Sequence, residues 1–95
     1  MQLNEKTKIK RKTTSVFHDD GTSIHILDEA HDEIVTLNAT ATVIWKKIGA
    51  YISVASLVRG LCCTFDISEG MANKDVNEFL STLLKRNLIK IKKFN

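Results

Sequence analysis

Beyond its first dozen residues, the chain changes its hydrophobic period near residue 38, and the change separates a β half from a helical half. Residues 14–18, 23–27 and 33–37 are rich in Val, Ile, Thr and Phe, the side chains that suit a half-buried pleated surface. Turn chemistry lies between them. Asp20-Gly21 signals a hairpin because glycine enters the positive-φ region without steric cost, and residues 28–32 form a polar loop of hairpin length. The pattern predicts a three-stranded antiparallel meander.

At Asn38, an N-cap acceptor, apolar residues begin to recur about every 3.6 positions. Ala41, Ile44, Trp45 and Ile48 share one stripe, which predicts a first helix over 39–48 with Gly49 at its C′ position. Ser53 starts a second helix with Val54, Leu57, Val58 and Leu61 on its apolar face, ending near Cys63 or Thr64. Ser68 caps a third, whose Val76, Phe79, Leu80, Leu83 and Leu84 make the clearest amphipathic stripe in the chain. Gly70 and Asn73 are poor helix-interior residues, so its start is placed between Ser68 and Asn73. Asn87 follows as a left-handed cap, with Lys85 and Arg86 complementing the negative end of the helix dipole. Residues 88–94 alternate apolar side chains and lysine, as an exposed short strand or tail would.

A β-meander followed by three helices is an α+β architecture of winged helix-turn-helix type, with the first and third helices expected to cover one sheet face. With 95 residues, 43% hydrophobic and 26% charged, the chain has material for one core. Residues 13–95 are read as that single domain. Residues 1–12 are lysine-rich and lack an apolar period, and they are read as a flexible basic arm.

The net charge of +3 conceals a separation: both ends are basic and the middle is acidic. Such a distribution suits an acidic peptide, an acidic partner surface or nucleic acid without choosing among them. No run approaches the roughly 20 apolar residues of a membrane helix, and residues 1–12 lack a signal-peptide centre, so a cytoplasmic protein is expected. Cys62 and Cys63 are adjacent on a helix, where a mutual disulfide is geometrically disfavoured.

Catalytic chemistry finds no foothold. His18, His25 and His31 lack metal-ligand spacing, and Gly21, Gly49, Gly60 and Gly70 are too scattered for a phosphate loop. Trp45 lies on a core stripe. No catalytic, cofactor or metal site is expected, and attention falls on surface. An open meander has edges whose unpaired N–H and C=O groups accept an added strand. Ile34, Val35, Thr36 and Leu37 are the candidate edge, with cover by a neighbouring element equally open. A DNA-binding winged helix is the alternative. It is disfavoured because Lys74 and Lys85 on the third helix are interleaved with Asp75 and Glu78.

The segment Leu37-Asn38-Ala39-Thr40-Ala41, followed by Ile44-Trp45, resembles the PqqD-like domains, also called RiPP precursor peptide recognition elements. The similarity continues through Ser53, Leu57 and Leu61, through Phe65-Asp66-Ile67, and through Asp75-Val76, Phe79-Leu80, Leu83-Leu84 and Asn87-Leu88-Ile89. It covers about residues 16–89. Two positions depart from the pattern: no acid precedes Gly49, and Asn87 stands where glycine is usual.

This resemblance implies a non-catalytic adaptor that binds the leader of a ribosomally made precursor peptide and delivers it to a modifying enzyme, such as a lasso leader peptidase or a radical SAM maturase. The leader would add as an antiparallel strand to Ile34, Val35, Thr36 and Leu37, and a proline at Val35 is expected to remove a donor from that added ladder. Asp75, Glu78, Ser81, Thr82 and Lys85 would meet leader side chains, and Lys85 or Arg86 would pair with leader carboxylates. Val76, Phe79 and Leu83 either floor the groove or belong to the core. A monomer or weak homodimer without cofactor, membrane or nucleic-acid partners is expected.

Overall fold

The structure, a computed structural model, describes residues 3–92. Met1, Gln2 and residues 93–95, and with them the Phe94 end of the predicted tail, lie outside the described residues.

The predicted meander is present as β2 (Val16–Asp19), β3 (Ile24–Asp28) and β4 (Glu33–Thr36), following β1 (Lys8–Arg11) and paired in the order β2-β3-β4. Gly21 takes φ 94° in the first hairpin, and Asp20 Oδ1 accepts from the N–H groups of Thr22 and Ser23. The second connection is a single 3-10 turn, Glu29–His31, capped by Asp28 and ended by Asp32 in the left-handed region at φ 51°. Register places Ile24, Ile26 and Asp28 of β3 on the inner face with Val35 of β4, while Val16, Leu27 and Ile34 form a cross-strand row on the outer face. Ile24 and Ile26 join the core with Ile44 and Trp45.

The helices begin where their caps predict. Asn38 Oδ1 accepts from Ala41 N–H at 2.8 Å and opens α1 (Ala39–Lys47), which buries Ala41, Ile44 and Trp45, with Ile48 following at its cap. Ser53 caps α2 (Val54–Phe65) and Ser68 caps α3 (Glu69–Lys85). Gly70 and Asn73 do not delay α3, because Ser68 satisfies Met71 N–H and Ala72 is already buried in the first turns. Asn87 adopts φ 61°, its N–H reaches Leu84 O, and Leu88 N–H reaches Leu83 O. This is the Schellman arrangement, and asparagine is the second-best residue for its left-handed position. Gly49 does not take positive φ. Its missing Cβ makes room for Arg11, whose guanidinium nitrogen would lie 3.2 Å from a Cβ there.

The expectation of a flexible arm over residues 1–12 is corrected for its described part, from Leu3 onward. β1 is the central strand of a second antiparallel sheet, between β5 (Ile52–Ser53) and β6 (Ile89–Lys92). Ile9 is 0% exposed within the common core. Before β1, the carbonyls of Glu5 and Thr7 accept from Ala55 and Val54 N–H groups at the start of α2, and Leu3 N–H donates to Asn77 of α3. Arg11 then ties the two sheets to α1: its Nη1 donates to Trp45 O at 2.7 Å, and its guanidinium lies 4.8 Å from the Phe17 ring centroid. Phe17 meets Trp45 edge to face, with centroids 5.5 Å apart. The segment after Asn87, expected as an exposed short strand or tail, is a strand through Lys92, but it is paired with β1 and its Leu88 and Ile89 are buried rather than exposed.

Candidate functional site

β4 hydrogen-bonds only to β3, so its other side is an open edge among the described residues. The phase of that edge follows from one bond. Leu37 N–H donates to Ile24 O at 2.9 Å, and bonded pairs alternate along an antiparallel ladder. Val35 and Glu33 therefore turn their backbone groups toward Ile26 and Asp28, while Ile34 and Thr36 turn theirs outward. The proline expectation at Val35 is corrected accordingly: that donor belongs to the β3–β4 ladder.

Glu33 and Asn38, which bracket this edge, each line a hollow shared with α3. A cleft between α3 and the start of α1 is lined by Asn38, Thr40, Ala41, Ile44, Asp75, Glu78, Phe79 and Thr82. A second hollow, sharing Thr82, continues past His31, Glu33, Lys85 and Arg86. The two form a trough that is acidic near the α1 end, at Asp75 and Glu78, and basic near the opposite end, at Lys85.

The predicted site residues divide by position. Asp75, Glu78, Phe79, Thr82, Lys85 and Arg86 line the trough. Ser81 does not; it lines an adjoining hollow along α3 with Gly70, Asn73 and Lys74, which shares Glu78, Thr82 and Lys85 with the trough. Val76 is 0% exposed and Leu83 is equally buried, so both belong to the core, and Val76 is corrected as a groove residue. The cause is helical phase, since Ala72, Val76, Leu80 and Leu83 make one buried stripe and Phe79 sits at its margin. Leu37 is also a core side chain. Ile34 points to the outer sheet face with 69% of its surface exposed, and Thr36 Oγ1 bonds His25 Nδ1.

Arg86 is engaged internally. Its Nη1 donates to Asp28 Oδ2 and Glu33 Oε1 at 2.8 and 3.1 Å. The Arg86 guanidinium holds the Asp28 carboxyl below the usual carboxylate range, against the opposing effect of burial, and His31 assists. Asp28 and Glu33 in turn raise Arg86. Asn38, Thr40 and Ile44 also line the trough, although the sequence marked them only as a cap, a motif member and a core residue. Their nearness to α3 depends on how α1 crosses it, which no local spacing encodes.

Among the described residues, no group of three or more His, Cys, Asp or Glu side chains is placed to hold a metal ion. No helix among them is long and apolar enough to cross a membrane.

Fold and trough together define a small α+β domain with one strand edge left open beside a helix. Residues 24–89 match the family model described as coenzyme PQQ synthesis protein D (PqqD), and the chain belongs to that family. A solved structure described as TbiB1 in complex with the TbiA(beta) leader peptide is similar in fold, with a TM-score of 0.73 at 17% identity, covering 90% of this chain and 98% of that one. No curated protein sequence matches significantly.

Proposed function

We propose that this chain binds the leader segment of a ribosomally made precursor peptide as an added antiparallel strand on β4, and delivers it to a modifying enzyme or leader peptidase without itself performing chemistry. The observation that carries the reading is the outward backbone of Ile34 and Thr36, set between Glu33 and Asn38, both of which line the trough against α3. PqqD family membership and the leader-peptide complex of the similar TbiB1 fold support it.

The trough adds a direction. β4 runs from the Lys85 end toward the Asp75 end, so an antiparallel guest enters with its N-terminal part near Asp75 and Glu78 and leaves with its C-terminal part near Lys85. Side chains on one face of the guest strand meet Phe79 and Thr82, and those on the other face turn away from the cleft. Lys85 is the residue proposed to read a leader carboxylate, because Arg86 already holds two carboxylates of its own chain.

Titration of the labelled protein with a leader from a neighbouring gene tests the reading. Amide shifts centred on Ile34, Thr36, Phe79 and Thr82 are expected. Shifts centred on α2 and the β5-β1-β6 sheet would overturn strand addition on β4.

A further inference from the structure

The outer face of the second sheet carries an unusual opposition of like charges. Register sets Lys8 directly across from Lys92, and Lys10 across from Lys90, on one face of β1 and β6. Tyr51, just before β5, lies between Lys10 and Lys92, whose Nζ atoms are 5.7 and 5.8 Å from its ring centroid. Among the described residues, no carboxylate forms an ion pair with Lys10, Lys90 or Lys92. Like charges directly opposite each other destabilise a sheet. Lysine on an edge strand is a common guard against aggregation, and that accounts for Lys90 and Lys92. It does not account for Lys10, because β1 is the central strand and has no free edge to guard.

We propose that this lysine face docks a carboxylate-rich surface of a partner protein, at a site separate from the α3 trough. No trough residue belongs to this sheet. Two four-residue strands give a face of roughly 13 Å. That length suits a cluster of a few carboxylates. Nucleic-acid recognition favours the arginine fork, whereas this face offers lysines, and Arg11 is turned inward to Trp45. Tyr51 is occupied by two ammonium groups rather than left open as a base-stacking platform.

The test uses the full chain, a glutamate homopeptide of about ten residues, and an oligothymidylate of about equal charge, at one low ionic strength. The glutamate peptide is expected to shift the amides of Lys10, Tyr51, Lys90 and Lys92. Replacing Lys90→Glu and Lys92→Glu together should weaken its binding by roughly tenfold or more. The same change sets opposite charges across the ladder, so the variant should melt no lower than the parent, which separates lost docking from lost folding. Undiminished binding of the glutamate peptide in the double variant would overturn the proposal, as would shifts centred on Lys46 and Lys47. Tighter binding of the oligothymidylate than of the glutamate peptide would overturn it in favour of a nucleic-acid surface.

Discussion

Arg86, the cap of α3, donates to Asp28 Oδ2 at 2.8 Å across 58 positions of sequence, and Asp28 is only 2% exposed. The same guanidinium reaches Glu33, the first residue of β4. The C-terminal end of α3 is thereby fastened to both strands of the hairpin that carries the open edge. The trough is held between a fixed helix and a fixed strand, and Arg86 serves its geometry.

Stability should consequently depend on pH through Asp28. Its carboxyl is held below its ordinary range by Arg86 first, so its contribution is complete above the unfolded value of about 3.9 and is lost as pH falls through the lower folded value. Arg86→Met removes that contribution. The melting-temperature gap between parent and variant should be widest above about pH 5 and should narrow below about pH 4. A gap that stays constant down to about pH 2 would show that the Asp28 charge is not its source.

Backbone phase makes a prediction that separates neighbouring residues. Ile34→Pro removes an outward N–H from β4 and truncates a side chain that contributes little to the core, so melting should change little while leader binding weakens by tenfold or more, about 1.4 kcal/mol. Val35→Pro removes a donor to β3 and should lower the melting temperature. Calorimetric titration and thermal melts of the two variants check the contrast. If Ile34→Pro folds normally and binds leader as tightly as the parent, strand addition on β4 is wrong.

The polarity of the trough predicts charge-dependent binding. Lys85→Glu should weaken a leader bearing a carboxylate in its C-terminal half by a few-fold to tenfold, and changing that leader residue to lysine should restore part of the loss. The effect should shrink as salt rises, since Lys85 is solvent-accessible. A double-mutant cycle between Lys85 and the leader residue, read by fluorescence anisotropy, measures it. Zero coupling would leave the open edge intact as a site and remove Lys85 as its reader.

Elements governed by local signals were legible in the sequence. Three caps, Asn38, Ser53 and Ser68, and the left-handed Asn87 all stand where their chemistry required. The meander followed from β-branched runs and the Asp20-Gly21 turn, whereas whether β4 was an open edge or covered by a neighbour stayed undecided until the pairing was known. What escaped was the information that arises only from pairing. The register phase that turns Ile34 and Thr36 outward is set by the bond from Leu37 to Ile24, and the separation of Phe79 from Val76 is set by how α3 seats on its neighbours. Arg86 reads as a free terminal cation until Asp28 and Glu33 are brought beside it.

The largest miss carries the last prediction. Lys8–Arg11 offers one apolar side chain among three cations, which has the composition of a solvated arm. A strand needs only alternate residues to face inward, and a central strand in a two-sided pairing needs no run of its own. Ile9 satisfies that minimum: it pairs with Ile52 on one side and Ile91 on the other, and it is fully buried. Ile9→Ala should therefore cost about 2–5 kcal/mol, and Ile9→Val about 0.5–1.5 kcal/mol, measured as shifts of the urea midpoint. Neither change touches β4 or the trough, so at temperatures where the variants remain folded their leader affinity should match the parent. A cost near zero for Ile9→Ala would mean that residues 8–11 do not stay in the sheet in solution, and the flexible-arm reading would then stand.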